Sequence, residues 1–431
     1  MRPRKHDDTS QYTALNASDE LKSAAAGLTP STPAPRTPGL RFPRNVGQNV
    51  RTLHTLAKHA PMFLCREIVA RGAERHSGHQ LTVRYVGTLT NLRYVLNLAF
   101  ETYETVVERR LRTPGHAVAA FSPGRRDEDV LFLDTQSLIG ERLVRRPHLL
   151  LPAWIRQRLP LAREWPAVID NLPRFTRRGV SRYLRKYGFT GRVAHSDDAI
   201  DNFYHRLYAP HVHRRHKDEA VVLSEGRFRT LARGCQLVEI LHEGDVIAAN
   251  LVRHVGDTMF ILWCGVSDLT RERDLKGATD VLDYFSMLHA FLSGCQSLDF
   301  GRSRPTLNDG VMMYKSKWRA RLIPARVPQA HIVAVPTRWS PGVTSVLAHN
   351  HFVTVGRDGL NGRILLEGPP TEKKGLEELV ETYCPPGLSS VSIFSVPGFD
   401  DGIGAVDRGL ERIDLIDLRG VEDPLSAYLA V

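Results

Sequence analysis

The sequence predicts a mixed α/β (α+β) fold, a mixed sheet flanked by helices, and two features carry that prediction. Three runs rich in Val, Ile and Leu, Gln236 to Leu241, Val246 to His254 and Thr258 to Gly265, are joined by Glu243-Gly244-Asp245 and Gly256-Asp257. Gly and Asp are what tight hairpin turns demand, so the three read as an antiparallel meander. Segments with helical signatures bracket that meander. Asp170 to Gly188 has an N-cap residue at Asp170 or Asn171, Pro173 in the first turn and Gly188 past the end. Ala278 to Phe291 is apolar around most of its circumference, as in a helix buried on more than one side.

The remaining elements follow in order. A helix is expected from Asp198 to His216, kinked by Pro210. Ser224-Glu225 opens a short helix closed by Gly234. After the polar loop Asp268 to Lys276 and the apolar helix, Ser297 to Phe300 reads as a strand, Val311 to Trp318 as a helix and Leu322 to Val327 as a strand. Upstream, Val50 to Arg71 and Asn91 to Leu111 read as helices, with strands at His79 to Val86 and Val130 to Asp134.

A chain of 431 residues suits several domains. Residues 1 to 46 are rich in Pro, Ser, Thr and Arg and too poor in apolar residues to pack, so they read as a disordered arm. Residues 47 to 164 form an α/β region. Residues 165 to 328 hold the patterned domain, and 329 to 431 alternate strand-like and helix-like runs as an α/β extension. No apolar run approaches the roughly 18 residues that span a bilayer, and the first residues lack the apolar core of a secretory signal. The expected compartment is the cytoplasm.

Five cysteines are scattered without C-x-x-C or metal-ligand spacing, so no metal site is expected. The cluster His211, His213 and His216 reads as cationic surface. Of the 58 cationic residues only 10 are Lys, leaving 58 − 10 = 48 Arg. Such a bias fits binding of phosphate or carboxylate in a two-pronged geometry, and equally fits GC-rich codon usage. Locally, Arg174, Arg178, Arg182 and Arg185 share one face of the Asp170 to Gly188 helix, while Val180, Tyr183, Leu184 and Tyr187 share another. One face packs, and the other is a solvated surface or the wall of an anion-binding groove.

Two short segments point to chemistry. Asp299-Phe300-Gly301-Arg302-Ser303-Arg304 closes a strand, and Asp309-Gly310-Val311 and Tyr314-Lys315-Ser316-Lys317-Trp318 follow. With these residues, 171 to 328 resembles the FemAB-like branch of the GNAT acyltransferase superfamily. In that family a D-F-G-R-S-like strand end precedes an F-K-x-x-W-G-like helix. Arg319-Ala320 departs from that pattern, and Arg273-Asp274-Leu275-Lys276-Gly277-Ala278 departs from the acyl-CoA pattern R-x-x-G-x-A at Lys276. The resemblance implies a GNAT-type sheet, with residues 47 to 164 as a second, diverged copy or something unrelated. It also implies acyl transfer to an amine, with acyl-CoA or aminoacyl-tRNA as co-substrate.

Such a reaction needs a proton acceptor for the amine and stabilisation of the oxyanion. Asp299 at a strand end is the candidate base, or a cap of its own turn. Lys315 and Lys317 stand out in an Arg-rich chain as contacts for a donor phosphate or the oxyanion, or as cations at a helix end. Tyr314 is a candidate acid, or a core aromatic. Arg302 and Ser303 follow Gly301, which permits close backbone approach. Lys276, Gly277 and Ala278 would place a pyrophosphate at a helix N-terminus. Three functions stay open: an acyl-CoA-dependent N-acyltransferase, an aminoacyl-tRNA-dependent transferase supported by Arg178, Arg182 and Arg185, and a non-catalytic nucleic-acid- or polymer-binding protein. The acceptor and the oligomeric state are left open.

Overall fold

The computed structural model describes residues 10–12, 66–111, 128–136, 148–216, 222–324, 330–368, 373–399 and 413–430. Its strands in chain order are β1 (Ser10–Tyr12), β2 (Arg66–Ala73), β3 (Gln80–Gly87), β4 (Glu104–Arg110), β5 (Val130–Gln136), β6 (Leu149–Pro152), β7 (Ile155–Pro160), β8 (Thr190–Ala194) and β9 (Gln236–His242). There follow β10 (Asp245–Val255), β11 (Thr258–Val266), β12 (Ser297–Ser303), β13 (Arg321–Ile323), β14 (Ala330–Pro336), β15 (Phe352–Val355), β16 (Leu360–Leu366), β17 (Ser390–Ser395) and β18 (Ile413–Asp417). The fold is mixed α/β, as the sequence predicts.

The chain divides into two compact units. The first comprises 157–301, 315–321 and the strand β1, and the second comprises the described residues of 36–156, 302–314 and 322–431. This differs from the four consecutive segments expected. The C-terminal stretch is no separate extension, because β14 pairs with β5 and β6 inside one six-stranded sheet.

The first unit is built on an eight-stranded sheet, ordered β1-β8-β9-β10-β11-β12-β7-β13. The predicted meander is there: β10 pairs antiparallel with β9 and β11, and Glu243 and Gly244 take positive φ in the first turn. On one face lie α1 (Arg174–Tyr187) and α2 (Ala278–Leu292), burying Val180, Leu184, Val281, Leu282 and Phe285 against Val238, Ala248 and Val252. On the other face lie Phe203, Leu207, Phe228 and Leu251. The cap of α1 is Pro173, since Asp170 already ends the preceding helix Trp165–Asp170. Its Arg-bearing face remains exposed. Asp198 to His216 is divided where Pro210 demands it. Phe203–Tyr208 is a π-helix between Asp197–Asn202 and Ala209–His216, a widened turn that accommodates the missing N–H and the ring of proline.

The second unit holds the six-stranded sheet β4-β2-β3-β5-β14-β6 and the four-stranded sheet β15-β16-β17-β18. Two helical expectations fail here. Residues 66–73 are a strand, because β3 offers an eight-residue antiparallel partner from Arg66↔Gly87 to Ala73↔Gln80. The helix Leu89–Ala99 stops at buried Phe100, and the Thr-Val-Val run beyond becomes β4, as β-branched residues favour. In the expected disordered arm, Ser10–Tyr12 pairs with β8, and the rest of the arm lies outside the described residues. So do residues 50–65 of the expected helix Val50 to Arg71.

Candidate functional site

The feature that sets the first unit apart is the way β11 and β12 separate. They are parallel and register only at Thr258↔Ser297, Met259↔Leu298 and Phe260↔Asp299, although both strands run on. Gly301 bends β12 at the point of parting. Its φ is +81, and a Cβ there would stand 3.3 Å from the Ile261 carbonyl oxygen. Beyond it, the side of β11 from Leu262 to Val266 that faces away from β10 carries no β12 partner. Unpaired backbone groups in a sheet call for a partner.

Asp299 sits at the last shared register position and is 0% exposed. Its Oδ2 accepts from Arg158 Nε and Nη2 of β7 at 3.4 and 3.3 Å, and its Oδ1 accepts from the Gly301 amide at 2.8 Å. The carboxylate therefore caps its own turn, the alternative weighed from sequence, and also fixes a guanidinium. Arg158 is 31% exposed and lies 5.7 Å from the Phe260 ring centre, so the cationic end of the pair is the one that meets solvent. Sequence reasoning missed Arg158. One Arg among 48 gives no local signal.

The loop leading into α2 is packed from the side by α1. Gly277 is the N-cap of α2 with φ +74, and a Cβ on it would fall 2.1 Å from the Tyr183 ring. Tyr187 Oη donates to the Asp274 carbonyl at 3.2 Å, and Arg182 lies 4.9 Å from the Tyr183 ring centre. Gly277 is thus required twice, by its backbone and by its neighbour. Ala278 is buried in the core behind it, and Lys276 is exposed, 3.8 Å from Asp274. Lys317 Nζ donates to Asp280 Oδ1 at 2.6 Å in the first turn of α2, where an acid also meets the favourable end of the helix dipole. Thr176 Oγ1 donates to the Lys317 carbonyl at 2.9 Å. Trp318 is fully buried and stacks on Phe300 at 6.3 Å, but its indole N–H has no acceptor among the described residues.

A second polar group was also missed. Asn250 on β10 is 1% exposed, and its amide donates to Asp283 Oδ1 at 3.1 Å and Ser286 Oγ at 3.0 Å on α2. Asn250 Oδ1 has no partner among the described residues. Cys264 faces Asn250 across the β10–β11 ladder, on the unpaired part of β11. Burial, reinforced by the Asp283 charge and opposed by Arg215, pushes its thiol up to about 12. A thiol raised in this way is poorly poised for nucleophilic chemistry, which needs the thiolate. A buried polar cluster inside an apolar layer marks a site candidate. The apolar helix pattern hid it, because Asp283 reads as one polar interruption.

The predicted site residues divide between the units. Asp299, Lys315, Lys317, Lys276, Gly277, Ala278, Arg178, Arg182 and Arg185 belong to the first, while Arg302, Ser303 and Tyr314 belong to the second. Ser303 and Lys315 are buried, Tyr314 is half-buried and Arg302 is exposed. Arg178, Arg182 and Arg185 are exposed on α1 together with Arg174 and Phe175, which is 64% exposed. Among the described residues, no group of three or more His, Cys, Asp or Glu is placed to hold a metal, and no helix is long and apolar enough to cross a membrane.

No family model matches the chain, and neither does any curated protein. Several solved structures show partial likeness, among them the following three. L-PGS from Bacillus licheniformis is 10% identical, with 65% of this chain and 87% of that one covered and a TM-score of 0.31. FemX is 12% identical, with 63% and 89% covered and a TM-score of 0.32. A GCN5-related N-acetyltransferase from Kribbella flavida is 10% identical, with 81% and 75% covered and a TM-score of 0.25. Superpositions this loose carry no argument about function, which rests on the chain's own geometry.

Proposed function

We propose that the first unit is a GNAT-type N-acyltransferase whose donor lies in the opening between β11 and β12. The observation that carries this reading is the parting of the two parallel strands under α2. A free strand side can bind an extended arm through main-chain hydrogen bonds, and the pantetheine of an acyl-CoA is such an arm, with two amides to pair. The acceptor nitrogen attacks the acyl carbonyl, a C–N bond forms, the C–S bond breaks, and the thiol leaves with the proton the amine has lost. Arg158, held by Asp299, supports the developing oxyanion or a donor phosphate. Completely buried Asp299 is a positioning residue in this reading, and Asp283, beside the acceptor-only oxygen of Asn250, is the carboxylate we assign to the amine. The setting we propose is the cytoplasm.

Acetyl-CoA supplied with a panel of primary amines tests this. Thiol release that depends on amine, and that falls by about a hundredfold in Arg158→Ala, supports the reading, since one lost oxyanion donor costs about that much. Thiol release unchanged in Arg158→Ala and Asp283→Asn ends it.

A second reading has its own observation. Exposed Phe175 among Arg174, Arg178 and Arg182 offers a stacking ring between phosphate contacts, which suits an unpaired stretch of RNA and so an aminoacyl-tRNA donor. Binding of charged tRNA that weakens steeply with salt and is lost in Phe175→Ala supports it. Absence of tRNA binding at low salt removes it.

A further inference from the structure

The six-stranded sheet of the second unit ends on β4, whose outer side carries no strand among the described residues. Six of its seven residues are exposed and Val107 is half-buried, so neither face of the strand is covered. Val106 is 47% exposed. Edge strands are ordinarily guarded by Pro, charges (Lys above all), bulges or cover; β4 carries charges and a bulge but no Pro or Lys, and nothing among the described residues covers it. Its charges are Glu104, Glu108, Arg109 and Arg110. Glu108 pairs with Arg66 of its own chain, whereas Glu104 and Arg109 have no ion-pair partner among the described residues.

We propose that β4 pairs antiparallel with β4 of a second copy of this chain, joining two six-stranded sheets around a two-fold axis at Val107. A two-fold axis normal to a sheet brings like-facing residues opposite one another, so it must pass through a ladder position. The ladder positions are set by a bulge: Val107 stands opposite Val69 and Thr105 opposite Ala70, which makes Val106 the extra residue. Arg109 faces Glu67 and Glu104 faces Arg71, so each lies two ladder steps from Val107, on opposite sides of it. With the axis at Val107, Arg109 meets the partner's Glu104, and symmetry makes the pair twice. Valine meets valine at the centre. Moving the axis to Glu108 or Arg109 sets like charges against each other, and moving it to Thr105 leaves Glu104 and Arg109 without opposite charges. Cross-strand charge pairs of this kind select register.

The mass of the full chain by light scattering, over a concentration series, tests the proposal. A dimer is expected. Glu104→Arg and Arg109→Glu each turn two attractive pairs into two repulsive ones and are expected to weaken the dimer at least about tenfold. The double variant Glu104→Arg with Arg109→Glu swaps the charges and is expected to restore it. Both residue changes lie on exposed side chains, so circular dichroism is expected to be unaltered. A monomeric wild type, a dimer indifferent to either single reversal, or a double variant as weak as the singles overturns the proposal.

Discussion

Each unit buries arginine against carboxylate, and the two arrangements differ in which partner meets water. In the second unit Arg84 is enclosed with Glu67 at 2.9 Å and Glu128 at 3.5 Å, all three shut away from solvent. In the first unit Asp299 is equally buried, but Arg158 reaches the surface. A closed cluster has nothing to offer a ligand and acts on stability alone, because removing one member strands the others in a medium of low dielectric constant. A half-open pair spends its buried carboxylate on aiming a cation outward. The difference teaches that burial alone does not mark function. What marks it is a buried charge that orients an accessible one.

The largest expected effect breaks the closed cluster. Arg84→Met removes the cation between two buried carboxylates and should cost about 3–5 kcal/mol of unfolding free energy in urea titrations. A loss below about 1 kcal/mol would show that the cluster is not closed. Next comes Gly277→Ala, which places a methyl group inside the Tyr183 ring and forces an alanine to φ +74. About 2–3 kcal/mol is expected, and adding Tyr183→Ala should recover the steric part but not the backbone part. If the pair of changes is simply additive, Tyr183 does not seat the loop.

Acid should weaken both units through buried histidines. Burial pushes His289 in the first unit and His351 in the second down to about 4, with His254 and His349 adding repulsion. The unfolded chain takes up these protons near pH 6.5 and the folded chain does not, so stability present at pH 7 is lost as pH falls from 6.5 toward 4. At pH 5 each histidine should remove about 2 kcal/mol. Denaturation at the two pH values checks this, and His289→Gln should flatten the dependence by one histidine's share. The smallest effect is Phe175→Ala. An exposed ring should change stability by less than about 0.5 kcal/mol while altering RNA binding, a separation that the closed cluster of the other unit cannot show.

Local sequence determined the elements whose signals are local. The hairpins of β9 to β11 were legible because Gly244 and Gly256 supply the positive φ their turns require, and α1 and α2 because their apolar spacing and Gly188 fix length and face. Asp299 was expected at a strand end, but β12 runs on to Ser303; only its cap to Gly301, two residues away, is local. The rest was decided by partners far along the chain. Residues 66–73 are a strand because β3 and β4 lie alongside, and β14 leaves the C-terminal stretch to join a sheet begun with β2, 330 − 66 = 264 residues earlier. Arg158 meets Asp299 across 141 residues, and Asn250 meets Asp283 across 33. Side-chain periodicity encodes which face is buried and turn residues encode where the chain reverses, but neither encodes which distant polar group a buried charge will find. That pairing exists only once the sheet order is set, so the chemistry around a buried charge is decided by the fold.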